Sequence, residues 1–189
     1  MQKLIRNIEK INVSIENQSD AYFFNEPAQT MDIFDFEIEH DITLPLSYKI
    51  FLENFDGGFI SQIPVKSASD IETARWNSIN LLGLSEIEEG LSKISLRGWQ
   101  YDDSPEGTNM YIPFCHTAIG ELLIFVNTHD EHGECPVFDA FHEEQPRDWG
   151  CVYDNFSNFL NSYIKNNGRV KTQSYEEPSA LNYIQQSLK

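Results

Sequence analysis

The stretch ITLPLSYKIFLENFDGG, residues 42–58, decides how the rest of the chain is organised. Pro45 suits the first turn of a helix, because its φ is already helical and its missing N–H would have no partner there. Four apolar residues then recur at the spacing of one helical face: Tyr48, Phe51, Leu52 and Phe55. Asp56, Gly57 and Gly58 are predicted to end the helix, since glycine accepts the left-handed conformation found at many helix ends. The pattern predicts a short buried helix that organises the core.

The order of residue pairs in this stretch carries a family resemblance. The pairs are Leu44-Pro45, Tyr48-Lys49, Phe51-Leu52 and Gly57-Gly58. Together they resemble the signature of the SUKH superfamily, and within it the Smi/Knr branch named after fungal cell-wall regulators. Asp56 departs from the pattern, since the family usually has Asn there. A later segment, YDNFSNFL at residues 153–160, resembles the closing helix of SUKH domains, so the resemblance is strongest over residues 30–165.

The resemblance implies an α+β fold. We predict a mostly antiparallel sheet of about five or six strands flanked by helices, which pack against it to form one core. Residues 1–168 are expected to form a single SUKH-like domain, and residues 169–189 a linker and a C-terminal helix. Bacterial members of the family are typically immunity proteins, which bind and neutralise a toxin made by the same or a neighbouring cell.

Local patterns predict further elements. Short apolar runs bounded by Gly, Pro or Ser predict strands at residues 59–60, 63–65, 79–82, 110–114, 121–126 and 136–141. A capping-box pattern at Ser85 predicts a helix to about Ile94. Asp154 is the predicted cap of the helix that follows the last strand.

Residues 31–40 fit two structures. Phe34, Phe36 and Ile38 alternate with acids as in a strand. Thr30 as N-cap and Asp32 in the first turn favour a helix instead. The resemblance also favours the helix, because an acidic helix usually precedes the Leu-Pro pair. We therefore predict a helix here.

The chain is strongly acidic, with a formal net charge of −17 from 30 acidic and 13 basic residues. This charge disfavours binding to nucleic acid or to an anionic membrane, and it attracts a basic protein partner. The alternative explanation of the negative charge is that the acidic residues only keep the protein soluble. The odd number of cysteines and the absence of an apolar leader at the N-terminus predict a cytoplasmic protein without a disulfide framework.

His129, His132 and Cys135 are metal-ligand types spaced three residues apart. No second pair of ligands accompanies them, and an exposed hairpin loop explains the segment more simply. None of the cysteines has a recognisable nucleophile context. We predict no metal, no cofactor and no catalytic activity, and a metal- or thiol-dependent enzyme is the remote alternative.

Acidic loops with aromatic neighbours form the predicted partner-binding surface. Between residues 121 and 150 there are eight acids and one base, and we expect many of these carboxylates to gather at one sheet edge. The residues assigned to the surface are Trp99, Asp102, Asp103, Asp130, Glu131, Glu134, Glu143 and Glu144. Trp76, Tyr101 and Trp149 are further candidates for exposed aromatic anchors.

A surface of this sign would mimic phosphates and compete for the active site of a basic nuclease toxin. Reversing Asp130, Glu131 and Glu134 to Lys is then expected to slow association and leave the fold intact. The lead hypothesis is therefore a non-catalytic immunity protein. The alternative is a regulatory scaffold protein of the Smi/Knr type.

Overall fold

The computed structural model describes residues 2–17, 20–96, 109–118, 120–172 and 178–187. Its helices are α1 Gln2–Glu16, α2 Thr30–His40, α3 Leu46–Leu52, α4 Ala68–Trp76, α5 Leu84–Leu96, α6 Phe156–Lys165 and α7 Ala180–Ser187. Its strands are β1 Tyr22–Phe24, β2 Gly58–Ile60, β3 Asn80–Leu81, β4 Tyr111–His116, β5 Leu122–Val126, β6 Val137–Ala140 and β7 Cys151–Tyr153. None of these helices is long and apolar enough to cross a membrane. The predicted α+β class is confirmed.

The seven strands in the described ranges form one antiparallel sheet, in which the spatial order equals the chain order. The sheet has slightly more strands than predicted. The prediction did not include β1 and β7, because each has three residues and is too short to show an alternating pattern. The predicted strand at 63–65 is wrong, since this segment is a loop between β2 and α4. Strands β5 and β6 are buried at every position, so both faces of the central sheet are covered.

An aromatic cluster joins the Leu-Pro helix to the sheet. Phe114 of β4 and Phe125 of β5 stack with ring centroids 4.1 Å apart. Tyr48 of α3 meets Phe156 of α6 edge-on at 4.9 Å, and both rings also contact Phe114. The burial predicted for the stripe is confirmed: Tyr48, Phe51 and Leu52 of α3 are buried, and so is Phe55, which lies just beyond the helix.

The ends of α3 differ from the prediction. The helix ends at Leu52, and Gly58 instead begins strand β2. A Cβ on Gly58 would lie 2.5 Å from the Phe23 carbonyl oxygen of β1, so the glycine allows close approach of two strands. The Asp56 carboxylate accepts a hydrogen bond of 2.8 Å from the Leu84 N–H at the start of α5. Asp56 therefore links the end of the Leu-Pro segment to the N-terminus of α5.

Residues 30–40 are helical, as predicted, but the caps shift by one residue. The N-cap of α2 is Gln29, and the Thr30 hydroxyl donates to Glu53 Oε1 at 3.0 Å. At α6 the N-cap is Asn155 rather than Asp154, and its side chain accepts from the Asn158 N–H at 2.9 Å. The Gln29 side chain makes no capping hydrogen bond, so of these two helices only α6 has a side-chain cap of the predicted kind, one residue after the predicted position.

The C-terminal helix α7 packs against the end of the sheet. The Ala180 N–H donates to the Trp149 carbonyl at 2.9 Å, and Gly150 forms a bridge with Ser179. Ala180 and Ile184 are buried. These contacts join the tail to the same core as the strands.

Candidate protein-binding surfaces

The loop between β5 and β6, residues 127–136, closes the N-terminus of α3. Both oxygens of the Glu134 carboxylate accept hydrogen bonds from Ser47, at 2.8 Å from its N–H and 2.6 Å from its hydroxyl. The Gly133 carbonyl accepts from the Leu46 N–H at 2.9 Å. A carboxylate at a helix N-terminus satisfies free N–H groups and suits the helix dipole. Glu134, one of the residues assigned to the partner surface, therefore stabilises the Leu-Pro helix.

The other two acids of this loop, Asp130 and Glu131, differ in their hydrogen bonds and in their exposure. The Asp130 carboxylate accepts from the Glu134 N–H at 3.0 Å and from the His132 N–H at 2.8 Å. These backbone hydrogen bonds, the one from Glu134 foremost, lower the pKa of Asp130. The Glu131 side chain is 86% exposed, and its neighbour His132, whose ring lies 3.6 Å away, is 76% exposed. Glu131 is thus the carboxylate of the loop that is best placed to meet a partner.

Glu143 and Glu144 lie in the loop that follows β6, whereas Glu131 lies in the loop that precedes it. The two loops are therefore at opposite ends of a four-residue strand, which spans about 13 Å. Two other acids of this region point inward: Glu121 and Asp139 are buried. The expectation that these carboxylates gather at one sheet edge is wrong, because strand direction separates the loops.

Glu121 has its own partner within the fold. Its carboxylate accepts a hydrogen bond of 2.9 Å from the His142 N–H and also lies within hydrogen-bond distance of Nδ1 of the His142 ring. The contact ties the start of β5 to the turn after β6. This acid therefore orders the turn that carries Glu143 and Glu144.

The aromatic candidates separate into three groups. Trp99 and Tyr101 lie outside the described residues, as do Asp102 and Asp103, so their roles stay predictions. Trp149 is fully buried against Tyr111, so it belongs to the core and is not an exposed anchor. Trp76, at the end of α4, is 70% exposed.

Trp76 borders a groove of about 700 Å³ between α4, α5 and the turn from β4 to β5. Arg75 pairs with Glu86 across this groove, and Lys93 pairs with Glu89 at 2.9 Å. The charges along the groove are therefore mixed, since Glu72 also lines it. The sequence patterns do not indicate this groove, because α4 shows no apolar periodicity that would predict it.

The residues of the suspected metal motif do not converge. Cys135 is buried and His132 is exposed. Burial lowers the pKa of His129 and raises that of Cys135. Among the described residues, no three His, Cys, Asp or Glu are arranged to hold a metal ion. The absence of a native metal stays a prediction for analysis of the purified protein.

The cysteines should differ sharply in reactivity. Cys115 is fully buried and burial raises its pKa, as it does for Cys135, so both thiolates are disfavoured. Cys151 is half-buried at the sheet end. We expect iodoacetamide to label Cys151 at least about tenfold faster than the other two in the native protein, measured by peptide mass spectrometry. Urea-unfolded protein is the control, in which all three should react alike. Equal native rates at Cys115 and Cys151 would contradict the buried placement.

The antiparallel sheet of the described residues and the helices packed on it define an α+β protein. More specifically, the chain belongs to the SMI1 / KNR4 family (SUKH-1), whose family model matches residues 27–162. The match runs from just before α2 into α6 and confirms the resemblance seen in the sequence. Among curated proteins, none matches the chain.

Proposed function

We propose that this protein is a non-catalytic immunity protein that binds and neutralises a cognate toxin domain. The observation that carries the proposal is the family match over residues 27–162, taken together with a net charge of −17. Membership of this family supports a role in protein–protein interaction. The charge supports a basic partner, because opposite potentials speed encounter and favour correct pairing.

A nuclease is the expected class of toxin. Its active site must attract a polyanion and is therefore basic. An acidic protein can occupy such a site and exclude the nucleic acid by competing for the same cationic side chains. Exposed carboxylates such as Asp35, Glu39 and Glu131 supply the necessary sign.

A regulatory scaffold of the Smi/Knr type is the second candidate, because the same family model includes those regulators by name. The two functions differ in outcome. An immunity protein abolishes the activity of its partner, whereas a scaffold binds without abolishing it.

Co-expression tests the proposal directly. The toxin domain encoded beside this gene is produced in a bacterial host with and without the full-length protein, and surviving colonies are counted. We expect survival to rise by orders of magnitude, and the purified protein to inhibit the purified toxin domain at a one-to-one ratio. An unrelated protein of similar size and negative charge is the control.

Three results would count against a specific immunity function. Binding without inhibition would favour the scaffold. Absence of both protection and binding would remove the immunity function altogether. Protection by the unrelated acidic protein would show that charge alone is sufficient and that no specific interface exists.

A further inference from the structure

The outer face of α2 is an apolar stripe that the described part of the chain leaves uncovered. Met31, Phe34 and Ile38 follow at i, i+3 and i+7, so they lie along one side of the helix. Their exposed fractions are 62%, 53% and 64%. Single exposed apolar residues are ordinary, but a contiguous row of large ones marks an interaction surface.

The stripe is not needed to hold α2 in place. The inner face of the helix buries Ile33 and Phe36 in the core. On one flank, the Glu37 carboxylate accepts from the Leu44 N–H at 2.6 Å and from Lys49 Nζ at 3.1 Å. The helix is therefore held by its buried face and by hydrogen bonds on one flank, and Phe34 and Ile38 lie on the exposed side.

The surroundings of the stripe are acidic. At 100° per residue, Asp35 and Glu39 lie beside Met31 and Ile38 on the flank opposite Glu37, and both are exposed. No Lys or Arg occurs between residues 11 and 48. Lys49, the first base that follows, is paired with Glu37. The face thus combines apolar anchors with a negatively charged rim.

We propose that this face of α2 is the docking site for a basic, amphipathic segment of a partner protein, with an apolar centre and Lys or Arg around it. A second copy of this chain fits poorly, because it would bring the row containing Asp35 and Glu39 against itself. Like charges across an interface are costly, and the whole chain carries −17. The negative charge around the stripe therefore favours a basic partner over a second copy of this chain.

This face of α2 combines exposed apolar side chains with exposed carboxylates, and the acidic loops do not. Glu134 and Asp130 are engaged in internal hydrogen bonds, and Glu143 lies at the other end of β6. On α2, an aromatic anchor and carboxylates occur together, which is the usual composition of an interface centre and its rim. The inference rests on the proposed function only where it takes the partner to be a toxin domain.

A synthetic amphipathic helical peptide of Lys and Leu is the probe, and a peptide with the same Lys positions and Ser in place of Leu is its control. Fluorescence anisotropy measures affinity for the full chain, and hydrogen exchange locates the contact. We expect the Lys/Leu peptide to bind and to slow exchange in α2. The Lys/Ser peptide should bind at least about tenfold more weakly, because it lacks the apolar anchors.

Matched variants locate the site. Phe34→Ser with Ile38→Ser should weaken binding of the Lys/Leu peptide at least about tenfold. Ile5→Ser with Val13→Ser removes similarly exposed apolar residues from α1 and should change it less than about twofold.

A second pair of variants tests the rim without removing apolar side chains. Asp35→Asn with Glu39→Gln should weaken binding several-fold. Glu131→Gln with Glu143→Gln, on the two loops, should have little effect. Circular dichroism confirms that each variant is folded.

Several outcomes would overturn the inference. These are no binding to the wild-type chain, equal binding by both peptides, equal effects of the α1 and α2 variants, and a sedimenting dimer that the α2 variant dissociates. The last result would make a second copy the occupant. If peptide binding fails but co-expression still protects the host, the docking site is wrong and the immunity function stands. If the peptide binds on α2 without any protection by the protein, only the immunity function is wrong.

Discussion

Replacement of Leu52 by alanine is expected to lower the free energy of unfolding by about 2–5 kcal/mol. Leu52 is fully buried in α3 and belongs to the same hydrophobic core as Tyr48 and Phe156. Alanine keeps the helix propensity, so the loss comes from apolar area returned to water and from the cavity left behind. Urea denaturation followed by tryptophan fluorescence and circular dichroism measures the change.

Leu46→Ala is the matched control, because it makes the same truncation in the same helix. Leu46 is 41% exposed, so its replacement should cost less than about 1 kcal/mol. Equal losses for the two variants would show that the buried face of α3 is assigned incorrectly. The helix would then not organise the core.

Glu134→Ala is expected to destabilise the protein by about 1.5–3 kcal/mol, the usual range for hydrogen bonds to a charged group. The substitution leaves the N–H and hydroxyl of Ser47 without their carboxylate acceptor and removes a negative charge from the helix N-terminus. Thermal and urea denaturation at neutral pH measure the loss.

Glu131→Ala, three residues away in the same loop, is the control and should change stability by less than about 0.5 kcal/mol. A double-mutant cycle with Ser47→Ala should show that the effects of Glu134→Ala and Ser47→Ala are not additive. If Glu134→Ala is as stable as Glu131→Ala, the hydrogen bonds between Glu134 and Ser47 contribute nothing to the free energy of unfolding. If Glu134→Ala does destabilise the protein, reversal of Asp130, Glu131 and Glu134 to Lys will also destabilise it. The sequence-based expectation that this triple reversal leaves the fold intact would then be wrong. Glu131→Lys with Glu143→Lys then tests the loops more cleanly.

Residues that act through local spacing were predictable. Tyr48, Phe51, Leu52 and Phe55 lie on the buried face that their periodicity indicates. The helix at residues 30–40 and the α+β class followed from the same kind of pattern and from the family resemblance. The exposed row of Met31, Phe34 and Ile38 has the same helical spacing, but spacing alone does not tell which apolar face of a helix meets the core.

By itself, the sequence determined the Leu-Pro helix, the family and the acidic character of the protein, because these depend on residue order, periodicity and composition. Only the tertiary structure decided what each carboxylate does. Glu134 meets Ser47 across 87 positions of the chain, and Glu121 meets His142 across 21. Residues so far apart come together only when β5 and β6 pair and their loops are placed against other elements. A count of charges cannot reveal whether an acid caps a helix, joins a turn or faces a partner, since that depends on the direction of its strand.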